Sequence, residues 1–200
     1  HVVIVPIFKT PEERDAVLSK ARLLADSLRA WPTKKAQLGG PLSVHIDMDE
    51  NKSPGWKFAE WEVQGVPVRI ELGPKDIAKG QAVLARRDLG TKSFEPLTDI
   101  PAKVLDLLVD IQEGLFRKAK EFRNQHVTEV NSYEEFKKVL DEKGGFIRAH
   151  WDGTTETEKA IKEETRATIR CIPLDNAQEA GVCIKSGKPS TQRVLFARAY

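Results

Sequence analysis

The chain has 200 residues and a formal net charge of +2, with 40% hydrophobic and 31% charged residues. This is an ordinary globular composition with enough apolar material for a core. Its two cysteines exclude a disulfide framework, and no apolar run approaches the roughly 18 to 20 residues that cross a bilayer. The small net charge does not by itself indicate a nucleic-acid-binding protein, so a surface of that kind must be local. The scarcity of cysteine is typical of the reducing cytosol, and we expect a cytoplasmic protein.

The first hundred residues alternate strand and helix patterns. Residues 2–8 form a continuous β-branched run typical of a buried strand. Thr10, Pro11 and Glu13 then supply helix-capping chemistry for an amphipathic helix to about Leu28. The further predictions are a loop over 31–41, a strand over 42–47, a short helix over 56–63, a strand over 66–72, a turn over 73–76 and a strand over 81–87. This order predicts an α/β sheet of four or five strands with helices on its faces.

The second half predicts a smaller α/β unit. Residues 101–125 carry apolar side chains at helical spacing and are long enough to connect two domains. Ser132 and Glu135 form a capping box that begins a second helix, which the Gly144-Gly145 pair ends. The remaining predictions are strands over 146–150, 170–172 and 194–199 and a charged helix over 155–164. Cys171 is expected to be a small buried residue.

Residues 55–92 interleave aromatic and charged side chains. Between positions 69 and 92 there are six basic and three acidic residues, a local excess of positive charge. Unpaired RNA bases are recognised by aromatic stacking and by hydrogen bonds to their edges. A carboxylate accepts from guanine N1–H and N2–H, and a Lys or Arg donates to O6 and N7. Composition alone nevertheless favours a plainer interpretation, in which Trp56, Phe58 and Trp61 belong to the core and the charges to a solvated face.

The amino-acid sequence of this region resembles that of a known family. PGWKFAEWEVQGVPVRIELGPKDI, followed by GQAVLARRD, is similar to the anticodon-binding domain of class II aminoacyl-tRNA synthetases for proline, threonine, glycine and histidine. It is most similar to prolyl-tRNA synthetases of the archaeal and eukaryotic type, which some bacteria also carry. IKEETRATIRCIP and VLFARAY resemble the carboxy-terminal domain found only in that type. The resemblance extends over essentially the whole chain.

The resemblance implies a fold and a domain arrangement. We expect a mixed α/β sheet of about five strands flanked by helices, followed by a smaller α/β domain. The predicted domains are an anticodon-binding domain over 1–100, a connecting helix over 101–130 and a carboxy-terminal domain over 131–200.

The resemblance also implies which residues read the two guanines of the proline anticodon. Carried over by position, these readers are Glu62, Arg69, Lys75 and Lys92, with Phe58 as an aromatic that flanks the bases. The family loop around Lys92 varies. Trp56 matches a family aromatic whose role, structural or base-contacting, stays open.

A metal site of the family is expected to be lost. Its members commonly hold zinc in a Cys-x4-Cys and Cys-x2-Cys arrangement, and those positions here read Asp152, Thr157, Cys183 and Ser186. Structural zinc takes four ligands, mostly sulfur or nitrogen. Because Thr and Ser are poor ligands, we predict that no zinc is bound.

The expected role is tRNA(Pro) recognition within a proline–tRNA ligase that uses ATP and Mg. The family's catalytic motifs precede the anticodon domain and none is present here, so we expect this fragment to bind tRNA without catalysis. The resembled enzymes are homodimers, chiefly through the catalytic core. In the family the carboxylate of the terminal Tyr, here Tyr200, turns toward the active site.

Two alternatives stay open. One is a free-standing anticodon-domain protein that binds tRNA in a regulatory role, and the missing initiator Met favours a chain that continues upstream instead. The other is the equivalent part of a threonyl or glycyl enzyme, against which the extra domain and Tyr200 argue.

Overall fold

The structure is a computed structural model that describes residues 1–31, 40–174 and 176–199. The chain divides into two compact units, His1–Arg117 and Lys118–Tyr200. The three-part domain division expected from the sequence stays a prediction. Among the helices that lie in the described ranges, none is both long enough and apolar enough to cross a membrane.

The first unit is built on a mixed five-stranded sheet. Its strands are β1 (Val2–Pro6), β2 (Val44–Ile46), β3 (Val68–Leu72), β4 (Gln81–Arg86) and β5 (Lys92–Pro96). Their spatial order is β2-β1-β3-β4-β5. β1 runs parallel to β2 and β3, and β4 is antiparallel to both β3 and β5. The expected α/β fold with a mixed sheet of about five strands is confirmed.

In the described residues, four helices accompany this sheet: α1 (Pro11–Ala30), α2 (Pro54–Val63), α3 (Pro74–Ala78) and α4 (Ile100–Gln125). α1 begins where the sequence predicts, because Thr10 Oγ1 accepts a hydrogen bond from the Glu13 backbone N–H at 3.3 Å. The predicted turn at 73–76 is instead the start of α3, where Asp76 Oδ2 accepts from Gly73 N–H at 3.2 Å. β5 was not predicted, since its sequence KSFEP is short and largely polar.

The two faces of this sheet differ in chemistry. One face carries Val2, Ile4, Val68, Ile70 and Leu72, which form the core with apolar residues of α1 and α4. Successive side chains of a strand point to opposite faces. The other face therefore carries the alternate positions, including Arg69 and Glu71, and helix α2 lies against it.

The second unit has a four-stranded sheet in the order β6-β7-β11-β8. Its strands are β6 (Val127–Glu129), β7 (Phe146–His150), β8 (Ala167–Cys171) and β11 (Arg193–Arg198), with a separate hairpin of β9 (Gly181–Val182) and β10 (Pro189–Ser190). Its helices are α5 (Tyr133–Glu142) and α6 (Thr155–Thr165). The core includes Phe136 packed edge-on against Phe196, with ring centroids 5.2 Å apart.

Several details of this unit correct the sequence interpretation. The strand predicted over 170–172 begins earlier, at Ala167, and the short strands β6, β9 and β10 were not predicted. Cys171, expected to be buried, is exposed at the end of β8, whereas Cys183 is buried. Of the loop predicted over 31–41, residues 32–39 lie outside the described residues.

Candidate nucleic-acid interface

Asp47 holds helix α2 on the face of the first sheet that carries Arg69 and Glu71. Trp61 Nε1 donates to Asp47 Oδ2 at 2.7 Å, and Lys57 Nζ lies 3.1 Å from Asp47 Oδ1. Asp47 and Lys57 are both buried, and the Trp61 ring packs on His45 at 4.9 Å between centroids. Burial alone raises the pKa of Asp47, but the hydrogen bonds from Trp61 and Lys57 outweigh it and leave the pKa below its usual value. These contacts fix α2, and with it Phe58 and Glu62, against the sheet.

Strand register places two of the predicted readers in one row across the sheet. Arg69 on β3 pairs with Ala85 on β4, and Ala85 pairs with Lys92 on β5. Residues paired across neighbouring strands point to the same face. Arg69 and Lys92 therefore flank the small side chain of Ala85 on the face that carries α2.

Four residues join in a charged cluster, defined as Glu62, Arg69, Glu71 and Lys92. Arg69 Nη1 donates to Glu62 Oε1 at 2.8 Å, and Arg69 Nε and Nη2 donate to Glu71 Oε1 at 3.2 and 3.1 Å. Lys92 Nζ lies 2.7 Å from the same Glu71 oxygen. Two cations and two carboxylates thus neutralise one another in a single network.

The charged cluster has a buried half and an exposed half. Arg69 and Glu71 are buried, whereas the side chains of Glu62 and Lys92 are 53% and 48% exposed. The remaining oxygen of Glu62, Oε2, makes no hydrogen bond within the part of the chain that the structure describes. A carboxylate can accept about four hydrogen bonds. Glu62 therefore keeps acceptor capacity on the solvent side.

Phe58 lies over the two cations of the charged cluster. The centre of its ring is 4.1 Å from Arg69 Cζ and 5.2 Å from Lys92 Nζ. Both distances fall within the range of favourable cation–π contact. Phe58 is half-buried, so one part of it is available to a ligand while the other orients the cations.

A small pocket of about 70 Å³ opens beside the charged cluster and includes Trp61, Glu62, Arg69, Arg87, Thr91 and Lys92 in its lining. Arg87 Nε donates to the backbone carbonyl of Glu62 at 2.8 Å, which ties the end of α2 to the end of β4. The pocket is lined by both acceptors and donors. It is therefore suited to a planar polar group such as a base edge.

Lys75 is the predicted reader that the structure does not bring into the charged cluster. It lies on α3, is exposed, and makes no side-chain hydrogen bond or ion pair with any residue in the described ranges. The other four, Phe58, Glu62, Arg69 and Lys92, come together as described above.

Sequence reasoning missed Glu71, which accepts from both cations. The signal was present, because Glu71 follows Arg69 by two residues and so shares its face of the strand. The interpretation of the three aromatics as core is also corrected. Trp56 is 46% exposed, and Lys52 Nζ lies 3.5 Å from its ring centre. Of the three, Trp61 is the one that anchors the helix through a hydrogen bond.

In the second unit, three of the four family metal positions, Asp152, Thr157 and Ser186, belong to a hydrogen-bonded group, while the fourth, Cys183, is buried. Thr157 Oγ1 and Ser186 Oγ donate to Asp152 Oδ2 at 2.8 and 2.6 Å. Thr154 donates to Asp152 Oδ1 from its backbone N–H and its hydroxyl. Burial opposes ionisation of Asp152, but these hydrogen bonds lower its pKa to about 2.

These residues do not fit a structural zinc ion. The hydroxyls of Thr157 and Ser186 are committed as donors, and both Asp152 oxygens are already occupied as acceptors. No group of three or more His, Cys, Asp or Glu suited to a metal occurs within the described ranges. The absence of zinc stays a prediction. The expected position of the Tyr200 carboxylate near the active site also stays a prediction, because Tyr200 lies outside the described residues.

Two family models match the chain. The model described as "Anticodon binding domain" matches residues 1–107, which include α2 and the whole charged cluster. Because this match covers more than half of the chain, the protein belongs to the anticodon-binding-domain family. The model described as "Prolyl-tRNA synthetase, C-terminal" matches residues 133–200.

The curated relatives of the chain are named proline–tRNA ligase. The chain is 52% identical over 200 residues to that of Christiangramia forsetii and 51% identical to that of Flavobacterium johnsoniae. It is 46% identical over 203 residues to that of Roseiflexus castenholzii. These matches cover all of the chain but only 39%, 39% and 40% of the relatives, so it spans about two fifths of their length. The relatives are bacterial, and they support the prolyl assignment but not the expected archaeal and eukaryotic type.

Proposed function

We propose that the face of the first sheet bearing α2 binds the anticodon of tRNA(Pro), as the tRNA-reading part of a proline–tRNA ligase. The observation that carries this proposal is the charged cluster of Glu62, Arg69, Glu71 and Lys92 beneath Phe58. It combines acceptors, donors and an aromatic face, which are the groups that recognise unpaired bases. The match of residues 133–200 to a prolyl-specific model favours the prolyl enzyme over a threonyl or glycyl one.

Glu62 is suited to accept from guanine. Its two oxygens can accept from N1–H and N2–H, which only guanine presents together, because Oε2 has no partner in the described residues and Oε1 keeps a second lone pair beside its bond to Arg69. This bond fixes the carboxylate before the RNA arrives, so less conformational freedom is lost on binding. Lys92 and Lys75 carry exposed ammonium groups that can donate to guanine O6 and N7 or to phosphate.

Binding by this surface is expected to be weak and sensitive to salt. The chain has a net charge of only +2, so long-range attraction of RNA is modest. Each Lys or Arg that neutralises a phosphate adds to the dependence of affinity on salt. Specificity therefore depends on the base contacts.

The parent reaction is part of the proposal. Proline, ATP and tRNA give prolyl-tRNA, AMP and pyrophosphate, with ATP and Mg bound by a catalytic region and homodimerisation through that region. The role of this chain is to hold the anticodon and so to select the tRNA.

The test compares anticodon stem-loops that differ only in the two guanines. We expect the 200-residue chain to bind a loop with both guanines more tightly than one with adenines in their place. Glu62→Ala should reduce this preference by roughly 5- to 150-fold, equivalent to the about 1 to 3 kcal/mol of a good bidentate base contact. Affinities are measured by fluorescence anisotropy at several salt concentrations.

Lys79→Ala is the matched control. Lys79 is an exposed cation just after α3 with no side-chain partner in the described part of the chain. We expect its removal to lower the affinity for both loops alike and to reduce the salt dependence. Equal binding of the two loops by the unaltered chain would refute base reading.

A further inference from the structure

Phe94 is an exposed aromatic residue on the same face of the sheet as the charged cluster. It lies on β5 two residues after Lys92, so the two side chains share a face. The register agrees, because Phe94 pairs with Val83 and Val83 pairs with Glu71. Two residues along a strand span about 7 Å, which is close to the width of one base.

The ring of Phe94 is uncovered. Its residue is 66% exposed, although the neighbouring Val83 is buried. Within the described ranges no other ring or cation packs on it, whereas Phe58 already lies over Arg69. β5 is an edge strand of the sheet, and α2 contacts His45 of β2, Arg69 of β3 and Lys92 of β5 on this face. A ligand that reaches Lys92 therefore meets Phe94 next.

The surroundings of Phe94 favour an RNA base over a protein partner. A stable protein interface buries about 800 Å² on each side, whereas a single phenylalanine supplies at most about 200 Å². An exposed neighbour of Phe94 on this face of β5 is the cation Lys92. One aromatic face beside an ammonium group matches a nucleotide, whose base stacks and whose phosphate is negative.

We infer that Phe94 is a stacking platform for a further unpaired base of the same RNA loop, next to the guanines read at the charged cluster. This inference rests on the proposed function. Stacking on an aromatic ring tolerates any base, because every base has a π-face. Phe94 thus contributes affinity without contributing guanine preference, in contrast to Glu62.

The test is a double-mutant cycle between Phe94 and the RNA. Phe94→Ala is compared with the unaltered chain on anticodon stem-loops in which each unpaired loop nucleotide in turn is made abasic. We expect Phe94→Ala to lower the affinity for the intact loop roughly 5- to 150-fold, because base–aromatic stacking contributes about 1 to 3 kcal/mol. One of the abasic loops should bind the unaltered chain more weakly than the intact loop does, by a similar factor. The same loop should bind Phe94→Ala as tightly as the intact loop does. The preference for guanine over adenine should stay the same.

Phe116→Ala is the control, because Phe116 belongs to the same unit and is 65% exposed on α4. It should not alter RNA binding. Suppose that the unaltered chain prefers guanine, but that each abasic loop loses the same affinity for the unaltered chain as for Phe94→Ala. The stacking role of Phe94 would then be wrong, and the proposal of anticodon reading would stand. If the unaltered chain shows no guanine preference, both proposals fall. Phe94→Trp, which keeps a π-face, should restore the affinity lost in Phe94→Ala.

Discussion

Lys92 on the edge strand β5 is paired with Glu71 on β3, with 2.7 Å between Nζ and Oε1 across the intervening strand β4. The same oxygen of Glu71 accepts two hydrogen bonds from Arg69. A single buried carboxylate therefore sets the positions of Arg69, which holds Glu62, and of Lys92, which we propose donates to a base.

Replacing Glu71 by Gln should loosen both cations. The neutral amide keeps the shape of the side chain but removes the charge that opposes Arg69 and Lys92, and a hydrogen bond to a charged group contributes about 1.5 to 3 kcal/mol. We expect the free energy of unfolding to fall by roughly that amount and the guanine preference to decrease. Urea denaturation and stem-loop binding measure the two effects.

Glu95→Gln is the control for this change. Glu95 lies on β5, the strand of Lys92, but on the opposite face, and its side chain has no hydrogen bond or ion pair with the residues that the structure describes. Its substitution should leave both measurements near their original values. If Glu71→Gln bound guanine and adenine loops as the unaltered chain does, Glu71 would have no part in positioning the readers.

Asp47→Asn should release α2 from the sheet. The substitution leaves Lys57 buried without its counter-ion, and breaking a buried ion pair in this way costs about 3 to 5 kcal/mol. Because α2 carries Phe58 and Glu62, we expect weaker RNA binding together with the loss of stability. The exposed Asp49 is the matched control, and Asp49→Asn should cost far less.

The acid sensitivity of stability follows from the same carboxylate. The pKa of Asp47 is lower in the folded protein than its ordinary value of 3.8. Its contribution is therefore complete above about pH 4 and is lost as the pH falls through the lower, folded pKa. Between about pH 5 and pH 2, the free energy of unfolding of Asp47→Asn should depend less steeply on pH than that of the unaltered chain. An unchanged dependence would show that Asp47 is not stabilised as an anion.

Asp152 is predicted to replace the metal as a cross-link in the second unit. It joins the segment after β7 to α6 through Thr157 and to the β9–β10 turn through Ser186. Asp152→Ala should lower the free energy of unfolding by about 1 to 3 kcal/mol, because these hydroxyls lose their acceptor. Glu163→Ala, at an exposed position of α6, is the control. Denaturation that is equal in the two variants would argue against a cross-link.

Because Asp152 joins these segments by hydrogen bonds, we expect the stability of the protein not to depend on a bound metal. Chelator should leave the unfolding midpoint unchanged, and elemental analysis should find no zinc, while one bound zinc per chain would contradict the prediction. Since the pKa of Asp152 is about 2, its contribution should persist above about pH 4 and disappear as the pH falls toward 2. Asp152→Asn should abolish this acid-side loss.

Much of the local structure could be predicted from the sequence because it depends on neighbouring residues. Thr10 and Ser132 cap the helices they were expected to cap, since a hydroxyl and an N–H three residues apart meet whenever the chain turns. β1 and β3 were evident from their apolar runs. β5 was not, because its residues are exposed in alternation on an edge strand and their pattern is too polar and short to detect.

For the site, the sequence by itself determined the chemical groups, and its family resemblance indicated Phe58, Glu62, Arg69, Lys75 and Lys92 as the readers. Only the tertiary structure decided which of them meet. Arg69 and Lys92 are 23 positions apart in sequence, and strand register brings them into one row, while Lys75 remains separate on α3. Pairing between distant strands depends on the packing of the whole sheet, so a local pattern does not contain it. For the same reason, only the folded sheet shows that Glu71 contacts both cations and that Phe94 lies exposed on the same face.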